Sequence, residues 1–226
     1  MKIRKESVLV IAAHSDDEAL GCGGTIRKHV ENGSEVSVVF MTNGVGSRSS
    51  TNQDDILGRR SELAKAKEIL GYSLYHQFDY PDNEMDKCSL LQITKQLENL
   101  INQIKPQIIY THFHGDLNID HRITNQATLI ASRPTPDCSV KEIYGFEVLS
   151  STEWSFGSKS SFFPNVFCDI SNQIQTKLAA ISSYENEIRN EPHSRCLSHC
   201  RALALHRGNT VGVYAAEAFY AYRITH

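Results

Sequence analysis

The sequence lacks long apolar runs, an excess of charge of either sign, and any internal repeat or low-complexity tract. Its first apolar run, Val8–Ala13, belongs to a stretch of about seven residues, whereas a membrane helix needs roughly 20. That run follows the basic opening MKIRKESV but carries no signal-peptide cleavage pattern. The expectation is a cytoplasmic protein with no membrane span. A net charge of −3 and a pI near 6.4 give no electrostatic reason for a nucleic-acid partner. Proline is sparse at 6 residues and tryptophan occurs once, so neither an extended linker nor an aromatic-rich repeat is indicated. Cysteine is present but scattered, at 22, 88, 138, 168, 196 and 200. Such spacing suits reduced thiols better than a disulfide framework.

What the chain does have is steady alternation of strand and helix patterns over 226 residues, a length that suits one domain, 1–226. Strands are expected at Val8–Ala13, Val36–Met41, Leu74–Phe78 and Ile108–Thr111. Helices are expected at Glu18–Asn32, Leu57–Leu70, Leu90–Ile104 and Asp120–Ser132, with Gly33, Gly71, Pro106 and Pro134 as stops. This order implies right-handed βαβ units: an α/β, Rossmann-like three-layer sandwich, with a mostly parallel sheet between two layers of helices. Beyond Pro134 the pattern weakens. Ile143–Leu149 and Val166–Ile170 read as strands and Gln173–Arg189 as a long helix, with an aromatic loop holding Trp154, Phe156, Phe162 and Phe163 between the strands.

Ligands of such sheets sit beyond the carboxyl ends of the strands. The first strand runs into His14-Ser15-Asp16-Asp17-Glu18. The fourth runs into His112-Phe113-His114-Gly115-Asp116-Leu117-Asn118-Ile119-Asp120-His121. Imidazole nitrogens and carboxylate oxygens are the ligands of a catalytic zinc, three from protein with one position open. His14, Asp17 and His121 would make such a set. Each segment also has a plainer reading. Ser15 to Glu18 fits an S-x-x-E capping box, and Asn118 or Asp120 could cap the helix that follows. Capping accounts less well for His14 and two adjacent aspartates.

Together the segments resemble the PIG-L/LmbE-like family of zinc-dependent N-acetyl-amino-sugar deacetylases. The resemblance starts at AHSDDEALGCGGTI, with Ser15 where the family's AHPDDE has proline. It continues through LGRRSELAKAKEILG, DYPDNEMD and GDLNIDHR to RGNTVGVYAAEAF. It implies a metal site at the C-terminal ends of the strands, with His14, Asp17 and His121 holding Zn2+ and Asp16 as general base toward a water that zinc has made acidic. Asp120 would orient an imidazole, and Arg59 would contact the substrate, an N-acetylated amino sugar or its conjugate. One departure stands out: the family's histidine three residues before the last ligand is Asn118 here. Asparagine can donate to an oxyanion but supplies no proton. The missing role then falls to His112 or His114, with His112 preferred because it directly follows the strand. Asn43-Gly44-Val45-Gly46 is expected to wall the site. The same ligands accept other divalent ions, and nothing in the chain settles self-association into a homo-oligomer.

Other readings compete. The scissile bond could join another acylated amine, such as a thiol conjugate, or the fold could bind sugar without reacting. Gly21-x-Gly23-Gly24 faintly echoes a dinucleotide fingerprint, but its glycines fall inside the helix and acidic residues occupy the helix start. His193, Cys196, His199 and Cys200 could share a helix face and hold a metal; otherwise a helix beginning near Ser194 simply carries them.

Overall fold

Strand residues alternate between two apolar faces in the computed structural model, which describes residues 5–44, 53–157 and 160–225. In the first strand, β1 (Ser7–Ala12), Val8, Val10 and Ala12 enter one core while Leu9 and Ile11 enter the other. Both faces are dry, so β1 reads as a continuous apolar run, as a strand covered on both sides must. The remaining strands are β2 (Glu35–Thr42), β3 (Ser73–Tyr80), β4 (Ile108–His112), β5 (Glu142–Phe146), β6 (Val166–Asp169) and β7 (Ala216–Ile224). The described sheet has the order β3-β2-β1-β4-β5-β7-β6, parallel except for the antiparallel β7.

The helices are α1 (Asp17–Glu31), α2 (Gln53–Leu70), α3 (Leu90–Ile104), α4 (Ile119–Ala131), α5 (Ile174–Ser182) and α6 (Leu197–Thr210). Residues of α1, α2, α5 and α6 close one core, and those of α3 and α4 close the other. The three-layer α/β sandwich expected from the sequence is the observed architecture.

Helix α1 is broken at Cys22 (φ −145°, ψ 22°), which frees backbone N–H groups inside the core. The buried Glu217 carboxylate on β7 accepts from Gly24 N (2.9 Å) and Thr25 N (2.7 Å). Lys177 Nζ, 2.5 Å from Glu217 Oε1, balances its charge. The glycines here serve packing. A Cβ at Gly21 would fall 2.3 Å from Phe146, and one at Gly24 2.8 Å from Ile170. Close approach of helix to sheet, not phosphate binding, accounts for the glycine echo.

Three expectations need correction in the last third. The helix expected over Gln173–Arg189 stops at Ser182, because Tyr184 turns inward to donate its hydroxyl to buried Glu18 (2.6 Å). The fifth strand ends at Phe146 rather than Leu149, so that Leu149 and Ser150 are free to line the sheet edge. His193 and Cys196 precede α6 rather than riding on it. His193 packs edge-on against Trp154 at 5.5 Å, and among the described residues no metal-holding group forms there.

Candidate metal centre and active site

The strand order reverses direction between β1 and β4, which opens a crevice beyond their carboxyl ends. His14 and Asp17 arrive there from β1, and His121 arrives at the start of α4 after the loop that leaves β4. His14 Nδ1 lies 3.2 Å from Asp17 Oδ2, His121 Nε2 lies 3.3 Å from the same oxygen, and the two nitrogens are 3.3 Å apart. Ligands about 2.0–2.1 Å from a tetrahedral zinc stand about 3.3 Å from each other. The three atoms thus form one face of such a tetrahedron, and a divalent ion fits them.

The surroundings support the same reading. Asp17 Oδ1 is buried with no hydrogen-bond partner among the described residues, an unpaired oxygen that a cation would satisfy. His14 Nε2 is 3.1 Å from Asp120 Oδ2 and 3.2 Å from Asp82 Oδ1. Carboxylates at neutral pH only accept, so Nε2 carries the proton and the Nδ1 lone pair faces Asp17 and His121. His121 Nδ1 is held the same way, 3.1 Å from Asp116 Oδ1. Burial pushes His121 down, but Asp17 and Asp116 outweigh it and hold the imidazole up at about 9. Burial likewise raises Asp116, yet His121 and the hydroxyls of Ser151 and Thr152 bring it down to about 2. Four carboxylates, Asp17, Asp82, Asp116 and Asp120, thus surround two imidazoles, a donor set rich in negative charge.

Asp82 and Asp116 were not singled out from the sequence. Both lie inside the DYPDNEMD and GDLNIDHR segments, where an aspartate before a turn or helix reads equally well as a cap. Asp120 is where it was expected, beside an imidazole. Its two oxygens also accept from Asn83 N (2.6 Å) and Met85 N (3.0 Å), which fixes the loop after β3. A second group, His14, Asp82 and Asp120, is compact enough to hold an ion. Its geometry is better explained as one N–H shared between two acceptors.

Asp16 has φ 133°, a left-handed backbone that non-glycine residues rarely adopt. Its N–H donates to Glu18 Oε2 (3.0 Å), and Glu18 Oε1 accepts from Tyr72 and Tyr184. Asp16 Oδ2 lies 2.7 Å from Arg195 Nη1. Burial pushes the Asp16 carboxyl up to about 6, with Arg195 and Arg59 opposing the rise. The Ser15–Glu18 capping box does not form: Asp16 takes the N-cap position, Glu18 accepts from the Asp16 N–H, and Ser15 Oγ is buried without a hydrogen-bond partner among the described residues.

Arg59, Asn118, Asp16 and His121 line one open cavity, together with Gly44 and Arg195. Arg59 is 6% exposed. Its Nη2 reaches Glu187 Oε1 (3.0 Å), while Nε and Nη1 have no hydrogen-bond partner among the described residues. The oxygen of Asn118 caps α4 by accepting from Asp120 N (2.8 Å) and His121 N, and its Nδ2 donates to Asn83. Gly44 walls the cavity as expected; Val45 and Gly46 lie outside the described residues.

His112 requires correction. It is fully buried, stacks on His121 at 3.9 Å, and its Nε2 accepts the Ala13 N–H at 2.8 Å. Burial pushes its pKa well down, and although its Nε2 lies 3.5 Å from Asp17 Oδ2, it sits behind the cluster and is not among the residues lining the cavity. His114 is no substitute, since its nitrogens are taken by Tyr222 (2.8 Å) and Ser160 (2.6 Å).

Two imidazoles and a carboxylate facing an open polar cavity, with a further carboxylate beside them, are the equipment of a metal-dependent hydrolase. Comparison with known proteins sharpens that class. The family model described as PIG-L, GlcNAc-PI de-N-acetylase, matches residues 9–132, more than half of the chain, and the chain belongs to this family. It is 30% identical over 189 residues to the uncharacterized deacetylase YaiS of Escherichia coli strain K12, covering 81% of this chain and 92% of that one. It is 28% identical to the diacetylchitobiose deacetylase of Thermococcus kodakarensis, covering 94% and 81%. The structure of N,N'-diacetylchitobiose deacetylase from Pyrococcus horikoshii, in complex with an inhibitor, superposes with a TM-score of 0.77 at 23% identity, covering 96% and 84%. No described helix is long and apolar enough to cross a membrane.

Proposed function

We propose that this protein is a zinc-dependent N-deacetylase that hydrolyses the acetamide of an amino sugar or amino-sugar conjugate, acting as one domain over residues 1–226. The observation that carries the reading is the triangle of His14 Nδ1, Asp17 Oδ2 and His121 Nε2, with sides of 3.2, 3.3 and 3.3 Å. When bound, the ion supplies Lewis acidity toward the amide carbonyl and lowers the pKa of a water in reach.

The chain's own residues do the rest. Asp16 takes the proton of the attacking water and returns it to the departing amine, which leaves with a hydrogen it lacked as an amide. Asp120 and Asp82 hold His14 in the tautomer that presents Nδ1, and Asp116 does the same for His121 Nε2. Arg59, held by Glu62 and Glu187, brings its guanidinium charge to the cavity where sugar oxygens would meet it, and the Asn118 amide lines the same cavity. With His112 and His114 turned away, the family's usual histidine has no histidine substitute among these two.

Metal analysis paired with an amine-release assay across N-acetylated amino sugars tests the reading. Zinc should copurify near one per chain, and at least one sugar of the panel should release its amine. Folded, zinc-loaded protein that binds sugars yet releases no amine from the panel, from wild type and Asp16→Asn alike, would leave a sugar-binding protein instead.

A further inference from the structure

Arg195 comes from the connector between α5 and α6, 179 positions from Asp16 in the chain, and no motif announces it. Its Nη1 lies 2.7 Å from Asp16 Oδ2 and 3.3 Å from Glu187 Oε2. Its Nε donates to Ser150 Oγ (2.6 Å) and to the Leu149 carbonyl (3.3 Å). The guanidinium therefore ties the connector to two strand-end loops at once. Both anchor points are strained: Asp16 has φ 133° and Ser150 has φ 65°. Strained backbone persists only where its surroundings over-determine it. At Asp16 the restraints act from two sides, Glu18 on the N–H and Arg195 on the carboxylate. The side chains of Asp16 and Arg195 are 4% and 17% exposed, so water competes little for this pair.

Glu187 extends the arrangement. It joins Arg195 to Arg59 through its two oxygens, and Tyr184, three residues earlier in the same connector, donates to the Glu18 that holds Asp16 N–H. The connector thus grips Asp16 through both its side chain and its backbone.

We propose that Arg195 is a positioning residue for the general base, fixing the rotamer of the Asp16 carboxylate against a strained backbone. The inference rests on the deacetylase reading for its consequence in rate, but its geometric content stands apart from it. A single planar fork holding Asp16 with Nη1 and a loop with Nε is a task that guanidinium performs and ammonium does not.

The test compares wild type with Arg195→Met, Arg195→Gln and Arg195→Lys, using the N-acetylated sugar that wild type hydrolyses. Misplacing a catalytic group by about 1 Å costs about 100-fold in rate, so kcat should fall by about that factor in Arg195→Met and Arg195→Gln. KM and zinc content should stay within about 3-fold. Added guanidinium ion should restore about a tenth of the wild-type rate in Arg195→Met, and Arg195→Lys should fall between the extremes. Rescue by guanidinium is something a merely structural arginine would not give. Gln carries the test should the Met variant not fold. Crystal structures of the variants supply a reading independent of rate, with the Asp16 carboxylate rotated or its φ relaxed. Unchanged kcat in folded, zinc-loaded variants overturns the proposal, as does an Asp16 that stays in place without Arg195. Should wild type deacetylate nothing, the deacetylase reading fails, and the position of Asp16 in the variants still decides this one.

Discussion

The two walls of the cavity solve the burial of charge in opposite ways. On one wall His14, Asp17 and His121 are backed by Asp82, Asp116 and Asp120, an excess of carboxylate around two imidazoles. On the other, Asp16, Arg195, Glu187, Arg59 and Glu62 alternate in sign, each within 3.5 Å of the next. On the second wall two arginines stand between three acids, so every charge has a partner of opposite sign. The first is completed by a cation from outside. Burying unpaired charge is costly, so of the two walls the first is the one a divalent ion would relieve.

The largest expected effect breaks the first wall. Asp17→Asn or His121→Ala should lose zinc and all measurable amine release, and chelator should no longer lower the melting temperature as it does for wild type. Calorimetry with and without chelator checks this. Next comes Asp16→Asn, which belongs to the second wall. Zinc content should be unchanged while kcat drops by about 100- to 10,000-fold, the range of a lost general base. Retained activity there would move the base elsewhere.

A smaller effect sharpens the comparison. Asp116→Asn should weaken zinc binding by about 10- to 100-fold, because His121 loses the carboxylate that fixes its tautomer. Competition with a chromogenic chelator measures it. Glu187→Gln should leave zinc affinity within about 3-fold, since the Glu187 carboxylate pairs with Arg59 and Arg195 on the other wall. Among the variants expected to change activity the smallest effect is that of Arg59→Met, expected to raise KM by about 10-fold with little change in kcat, as lost charge-assisted hydrogen bonds to substrate would. A fall in kcat alone would place Arg59 in the chemistry instead.

The two walls also differ in how far they could be read from the residues. His14, Asp16, Asp17 and His121 sit where apolar strands end, and their density of ligand types in short segments is visible in one dimension. Asp82 and Asp116 lie in equally short segments, but an aspartate beside a turn serves capping as readily as it serves a histidine. Arg195 and Glu187 were out of reach. They lie in a connector without periodicity, opened when Tyr184 leaves the helical path to meet Glu18, a partner 166 positions away. The four parallel strands and four helices up to Ala131 follow their periodicity because both sheet faces are covered. The strand β7 was missed because it inserts antiparallel between β5 and β6, a pairing that no local pattern announces. His112 was misassigned for a related reason: following a strand directly, it was taken to face the site, whereas it packs behind His121 and accepts the Ala13 N–H.

The most direct measurement is an anomalous-difference map at the zinc absorption edge from crystals of the metal-loaded protein. The account predicts one peak, about 2.0–2.2 Å from each of His14 Nδ1, Asp17 Oδ2 and His121 Nε2. A peak seated instead between His14 Nε2, Asp82 and Asp120, or none after loading, would contradict it.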